Sequence, residues 1–189
     1  GFKLPVNFNS PYKAAGLQDF WRRWHISLSR WLKDYLYIPM GGNRKGSLRT
    51  IINVMVTMLL GGLWHGAALK FIIWGGLHGT GLIIGRILGI ITGERTRKKR
   101  FLRALTVIFT FHFVTFCWIF FRAADMNAAA LIIRQITENF SPGSYSTLLS
   151  AYSSVIILIF TGYFVHFLPE RIKVSYRGIF IRIPLVAQL

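Results

Sequence analysis

Acidic side chains are scarce in this sequence: six Asp and Glu stand against 23 Lys and Arg in 189 residues. Between Asp34 and Glu94 there are none. That gap excludes a Ser-His-Asp arrangement within the stretch, so an acid partner for any histidine there must come from elsewhere in the fold. Cysteine is scarcer still. Cys117 is alone, which excludes an intramolecular disulfide and a cysteine-rich metal site. The histidines at 25, 65 and 78 are 40 and 13 residues apart with no His-x-x-x-His pair, so a histidine metal centre has no sequence support. No internal repeat or low-complexity tract is present. The opening Gly1-Phe2-Lys3 shows neither an initiator Met nor a signal-peptide pattern. The expectation is a piece of a longer protein with further spans upstream.

What the sequence has is apolar length. Hydrophobic residues make up 53% and aromatics 15%, and mean hydropathy is +0.46. These values place the chain among integral membrane proteins. A net charge of +17 would suit nucleic acid, but the basic residues cluster where apolar runs end, which is the pattern of membrane orientation. No nucleic-acid partner is expected; the lipid bilayer is.

The fold class predicted is all-α, with several spans in a single membrane-embedded domain over 1–189. Residues 1–15 form a turn-rich entry. Over 16–38, Leu17, Phe20, Trp21, Trp24, Leu28, Trp31, Leu32 and Tyr35 recur at helical spacing opposite a basic face, predicting one amphipathic helix in the membrane interface. On the polar face, Asp19 can pair with Arg22 and Arg23, and Arg30 with Asp34. Residues 50–92 read as a hairpin of two uncharged runs, with Arg86 snorkelling. Spans follow at 104–121 and 148–168, separated by an amphipathic helix over 122–140 on the outer face. Arg44, Lys45 and Arg49 precede the hairpin; Arg95, Arg97, Lys98, Lys99, Arg100 and Arg103 follow it. Both ends are therefore expected in the cytoplasm. Gly62/Gly66, Gly75/Gly79 and Gly81/Gly85/Gly89 predict close helix contact.

His65, in Leu59-Leu60-Gly61-Gly62-Leu63-Trp64-His65-Gly66, sits inside an uncharged run of twenty residues. A titratable ring there is costly unless it faces an interior or a water-filled cavity, so a functional role is favoured over a purely packed histidine. His25 lies at the edge of the amphipathic stripe, where a solvated imidazole and a hydrogen-bonding or basic one are equally open. His78, in Gly75-Gly76-Leu77-His78-Gly79, reads better as a hydrogen bond across the helix contact than as a second site. His112 and Cys117 read as structural. The glycines of Pro39-Met40-Gly41-Gly42-Asn43-Arg44-Lys45-Gly46 could cradle a phosphate, but the spacing is not that of a P-loop, and a plain basic turn is preferred.

Three segments resemble signatures of the membrane-bound O-acyltransferase (MBOAT) family: Asp19-Phe20-Trp21-Arg22-Arg23-Trp24-His25-Ile26-Ser27-Leu28-Ser29, the following Arg30 to Arg44 block with its Gly41-Gly42-Asn43-Arg44, and Gly62-Leu63-Trp64-His65-Gly66. The likeness is closest to the bacterial branch acting on alginate and other cell-envelope polysaccharides, and more distant from the teichoic-acid D-alanylation members. It is strong over 1–85 and looser beyond. The resemblance implies a core fragment of that fold in the bacterial inner membrane. His65 would be catalytic and His25 a second active-site histidine, with Trp64, Trp24, Arg22, Asn43 and Arg44 binding substrate. It implies no bound cofactor, acetyl-CoA as acyl donor from the cytoplasmic side, and a polysaccharide or a secreted acyl-carrying protein as partner on the outer side. In the expected chemistry, neutral His65 takes the proton of an acceptor hydroxyl, and His25 orients the acyl carbonyl; an acyl-enzyme relay is the other route. The rival class is a proton-coupled transporter using intramembrane histidines, which predicts acidic partners in the spans.

Overall fold

The computed structural model describes residues 4–92, 100–139, 143 and 145–182, and every regular element among them is helical. The basic residues Arg95, Arg97, Lys98 and Lys99 lie outside the described residues. The chain forms two compact units, Gly1–Phe140 and Ser141–Leu189.

The first unit is built on a helical hairpin, α3 (Gly46–Trp64) and α4 (Leu69–Thr92). The two helices touch backbone to backbone because small residues face each other. A Cβ on Gly62 would overlap the Phe71 carbonyl, and one on Gly75 would overlap the Met58 carbonyl. That is the close approach expected of small-xxx-small spacing. Farther along α4 the expectation fails: Gly85 and Gly89 face open space. At the bend Lys70 Nζ donates to the Ala123 carbonyl at 2.5 Å and lies 4.8 Å over the Phe71 ring. It thereby ties the turn to the end of α5 (Arg100–Arg122). Gly46–Trp64, Leu69–Ile90 and Arg100–Arg122 are each long and apolar enough to cross a bilayer.

The single helix expected over 16–38 is instead broken. The structure has α1 (Leu17–Trp21), a non-helical step at 22–25, and α2 (Ile26–Leu32), which runs on as a π-helical turn over Lys33–Tyr37. The break has a cause upstream. The Asn7 carbonyl accepts the Ile26 N–H and Asn9 N–H donates to the Arg23 carbonyl, taking backbone groups the helix would need. Of the predicted ion pairs, Arg23–Asp19 forms at 2.9 Å, whereas Arg30 and Asp34 are not bridged among the described residues.

The front half of the apolar stripe packs against the protein's own helices. Phe20 is buried with Ala14 and Val114, and Leu17, Trp21, Trp24 and Trp118 pack around them. Trp31 and Tyr35, stacked at 5.6 Å, keep the exposed character that suits a membrane surface.

Between α2 and α3 the glycine turn is a plain turn. The N–H groups of Gly41, Gly42 and Arg44 are spent on the carbonyls of Ile38, Tyr37 and Gly41, so they cannot cradle an anion. Buried Asn53 on α3 holds the turn, donating through Nδ2 to the carbonyls of Met40 at 3.2 Å and Gly42 at 2.9 Å.

After α5, helix α6 (Met126–Thr137) starts where Asp125 caps it, its Oδ1 accepting from Ala128 N at 2.8 Å. It is the amphipathic helix expected after Arg122. In the second unit, the single span expected over 148–168 is a bent pair. Helix α7 (Tyr145–Ala151) and α8 (Ser153–Phe167) meet at 84°, so neither alone has the ~20 residues a crossing needs. Helix α9 (Glu170–Arg182) follows.

Candidate active site

His65 caps the C-terminal end of α3 in the turn between the two spans, its N–H on the Gly62 carbonyl at 3.0 Å. Gly66 follows with φ of 148°, which only glycine takes readily, and turns the chain back towards α4. The imidazole is half-buried in a box of rings. Trp64 stands edge-on at 5.0 Å, Trp74 at 5.3 Å and Phe121 at 4.9 Å, and Phe71 is tilted at 6.2 Å. Trp64 is its chain neighbour, Phe71 and Trp74 come from the first turns of α4, and Phe121 comes from the last turn of α5. Burial among these rings pushes the His65 pKa below its ordinary value, and the positive form of His25 lowers it further. Neutral imidazole, the form a base requires, is therefore favoured.

His25 reaches the same place from the break between α1 and α2. Its backbone is left-handed, φ 43° and ψ 55°, at a cost on the order of 1–3 kcal/mol for a non-glycine residue. The surroundings impose it. As the residue before α2, His25 would ordinarily cap the helix, yet its side chain makes no cap bond. Asn7 does that work from outside: its Oδ1 accepts both the N–H and the hydroxyl of Ser27, each at 2.9 Å. The His25 ring is thus left unbound at buried Nδ1, between Phe8 at 6.0 Å and Trp64 at 6.2 Å.

The two histidines therefore converge, with Trp64 touching both. Trp24 belongs to the same wall, packed on Phe8 at 4.8 Å, Phe20 at 5.8 Å and Trp118 at 5.1 Å. Arg22 is exposed at the end of α1. Asn43 and Arg44 are exposed and lie before the opposite end of α3, about 28 Å from His65 at the rise of an α-helix. They form a separate locus.

Sequence reasoning missed Asn7, Phe71, Trp74 and Phe121. Phe121 is distant in the chain and carries no local signal; Asn7 shows only as a turn residue. His78 also differs from expectation. Its side chain is fully buried, and neither ring nitrogen has a hydrogen-bond partner among the described residues. The bond expected across the helix contact does not form, because Phe20, Trp21, Trp74 and Phe113 fill the space around the ring. His112, by contrast, is exposed and bonded to the Ile108 carbonyl at 2.8 Å, as a structural role requires.

These features define a helical integral membrane protein with paired histidines at the turn of an apolar hairpin. The family model of MBOAT, the membrane-bound O-acyltransferases, matches residues 1–128, and the chain belongs to that family. It is 50% identical over 134 residues to the peptidoglycan O-acetyltransferase of Helicobacter pylori, which covers 70% of this chain and 25% of that protein. It is 46% identical over 146 residues to a probable alginate O-acetylase, AlgI, of Pseudomonas fluorescens, covering 77% of this chain and 28% of the other. A teichoic acid D-alanyltransferase of Bacillus subtilis is more distant, 32% identical over 130 residues, 61% of this chain and 32% of that protein. The chain thus spans about a quarter of the length of the first two of these curated relatives.

Proposed function

We propose that this chain carries the catalytic hairpin of a membrane-bound O-acetyltransferase that esterifies hydroxyls of an exported cell-envelope polysaccharide. The observation that supports it most is the convergence of His25 and His65 on Trp64 without a carboxylate in the hairpin.

In this reading, neutral His65 takes the proton from an acceptor hydroxyl as its oxygen attacks the carbonyl carbon of an acetyl thioester. A tetrahedral oxyanion forms, and the His25 ring donates to it. The C–S bond then breaks, and the proton held by His65 passes to the departing thiolate. The products are an acetyl ester and a free thiol. Acetyl-CoA supplies the thioester from the cytoplasmic side, with no bound cofactor. The exposed cations Arg44 and Lys45 at the far end of α3 suit its anionic head, with Asn43 as a further polar contact there and Arg22 as a polar contact on the side of the histidines. Trp24 and Trp64 line the acyl end. The acceptor is the polysaccharide itself, or a secreted acyl-carrying protein on the outer side, and the membrane is the bacterial inner membrane. The transporter alternative lacks the acidic partners it needs between Asp34 and Glu94.

The test is polysaccharide O-acetyl content in cells with the full-length gene, its deletion, or His65→Ala at equal protein level. Loss of ester in both altered strains with normal polymer yield is expected, His65→Ala costing roughly 100- to 10,000-fold in rate. Ester retained with His65→Ala but lost in the deletion would remove His65 from the chemistry.

A further inference from the structure

His78 is the one fully buried imidazole of the hairpin, and the reaction above does not use it. It lies on α4, one helical turn beyond Trp74, wholly out of contact with solvent. Its ring meets Trp74 at 4.8 Å and Trp21 at 5.1 Å, both edge-on, with Phe20 stacked at 6.1 Å and Phe113 edge-on at 6.1 Å. A neutral imidazole has one N–H and one bare nitrogen, and both atoms are buried without a partner among the described residues. So are the indole N–H groups of Trp21 and Trp74. One bare acceptor thus sits among two unsatisfied donors, in a place where aliphatic or aromatic carbon would pack without that penalty.

Of the two donors, Trp74 is the nearer ring, and its indole also stands edge-on to His65 at 5.3 Å, with an interplanar angle of 87°. His78, Trp74 and His65 therefore form an unbroken line of ring contacts.

We infer that His78 is a positioning residue for His65: its bare nitrogen accepts the Trp74 indole N–H during turnover and fixes the indole plane against which the His65 ring is held. Such bonds are often long or misaligned before substrate is bound and tighten in the reacting complex. The proposal rests on the reading of His65 as the base. It adds a specific demand: the nitrogen of residue 78, not its bulk, must matter.

The experiment is a double-mutant cycle in the full-length protein, reading O-acetyl ester formed per unit of enzyme present in the membrane. His78→Phe keeps an aromatic ring and removes the acceptor; Trp74→Phe removes the donor. Each single change is expected to lower the rate about tenfold, less than the ~100-fold that a 1 Å misplacement can cost. The double variant should be no worse than the lower single one, since both break the same bond. His78→Gln or His78→Asn, whose amide oxygens fall near one ring nitrogen or the other, should recover most of the rate. Trp21→Phe, the control, should combine additively with His78→Phe.

Multiplicative losses for Trp74→Phe with His78→Phe would overturn the inference. So would a His78→Phe protein above half of the wild-type rate, or amide variants no better than Phe. If His78→Phe does not accumulate, the amide variants decide: one active and one not names the accepting nitrogen, and two inactive but abundant proteins refute the role. Activity surviving in His65→Ala would instead sink the assignment of the base on which the inference depends.

Discussion

Asn7 Oδ1 accepts two hydrogen bonds from one residue, the N–H and the hydroxyl of Ser27, both at 2.9 Å. The contact caps α2 from twenty residues upstream and holds the left-handed step at His25. Asn7→Ala should lower stability by about 1 kcal/mol, the usual value of a lost N-cap, and lower activity by more than stability alone explains. Asn7→Asp, which keeps the accepting oxygen, should restore both. Thermal unfolding in detergent, set beside ester formation per folded protein, separates the two effects. Unchanged activity in Asn7→Ala would mean the strap does not set the position of His25.

The pH dependence follows from the His65 environment. Burial and the positive form of His25 both lower its pKa from 6.5, so His65 protonates at a lower pH than a free imidazole. With neutral His65 as the base, the rate should be level around neutrality and fall on an acid limb lying under 6.5. His25→Gln removes the like charge and should move that limb upward, towards 6.5. A pH–rate profile of acetyl transfer in membranes holding each full-length protein gives the answer; an unmoved limb would break the electrostatic link between the two histidines.

The hairpin contact offers a test of packing. A methyl at Gly62 meets the Phe71 carbonyl, and one at Gly75 meets the Met58 carbonyl; backbone cannot swing aside as a side chain does. Gly62→Ala and Gly75→Ala should each cost ~1–3 kcal/mol, the range for overpacking, and spread the turn that carries His65. Gly85→Ala, which meets nothing within 4 Å, should be neutral in the same melting assay. Equal effects at the three sites would show that the close approach is not what stabilises the pair.

Asn53 anchors the glycine turn through two carbonyls. Asn53→Ala leaves those acceptors unbonded, at roughly 1–3 kcal/mol for buried groups. Asn53→Asp should be worse, because a carboxylate has no donor to offer them. Limited proteolysis at 40–46 reads the loosening directly, and resistance equal to the wild type in both variants would refute the anchor.

Much of the membrane architecture could be read from the chain. Arg49 and Lys70 bracket one uncharged run, and the glycines at 62 and 75 mark the contact that brings α3 against α4. Those signals are local or periodic, and helices express them faithfully. The break at 22–25 was hidden for the opposite reason. Helical spacing from Leu17 to Tyr35 is continuous, but Asn7 and Asn9 compete for its backbone groups from outside the window. The bend at Tyr152 is likewise masked, because no charged residue interrupts the run across it. His65 and His25 were legible as candidates because a titratable ring in an apolar run, or in a recognisable motif, stands out. Their box was not: Phe121 joins it only through the packing of α5 on α4. His78 was misread because small neighbours suggested a bond across the contact, while the rings that fill the space come from three separate elements.

Four rings stand around His65, and the hairpin that carries it contains no Asp or Glu. In the proposed reaction, a proton taken by His65 meets no carboxylate of the hairpin and leaves with the thiolate in the same turnover. On that reading the histidine moves no net charge through the bilayer. Ester formation should run at the same rate whether the transmembrane voltage is maintained or collapsed by an ionophore, provided the acyl donor supply is held constant. A machine that relays protons for transport would stall under the same treatment.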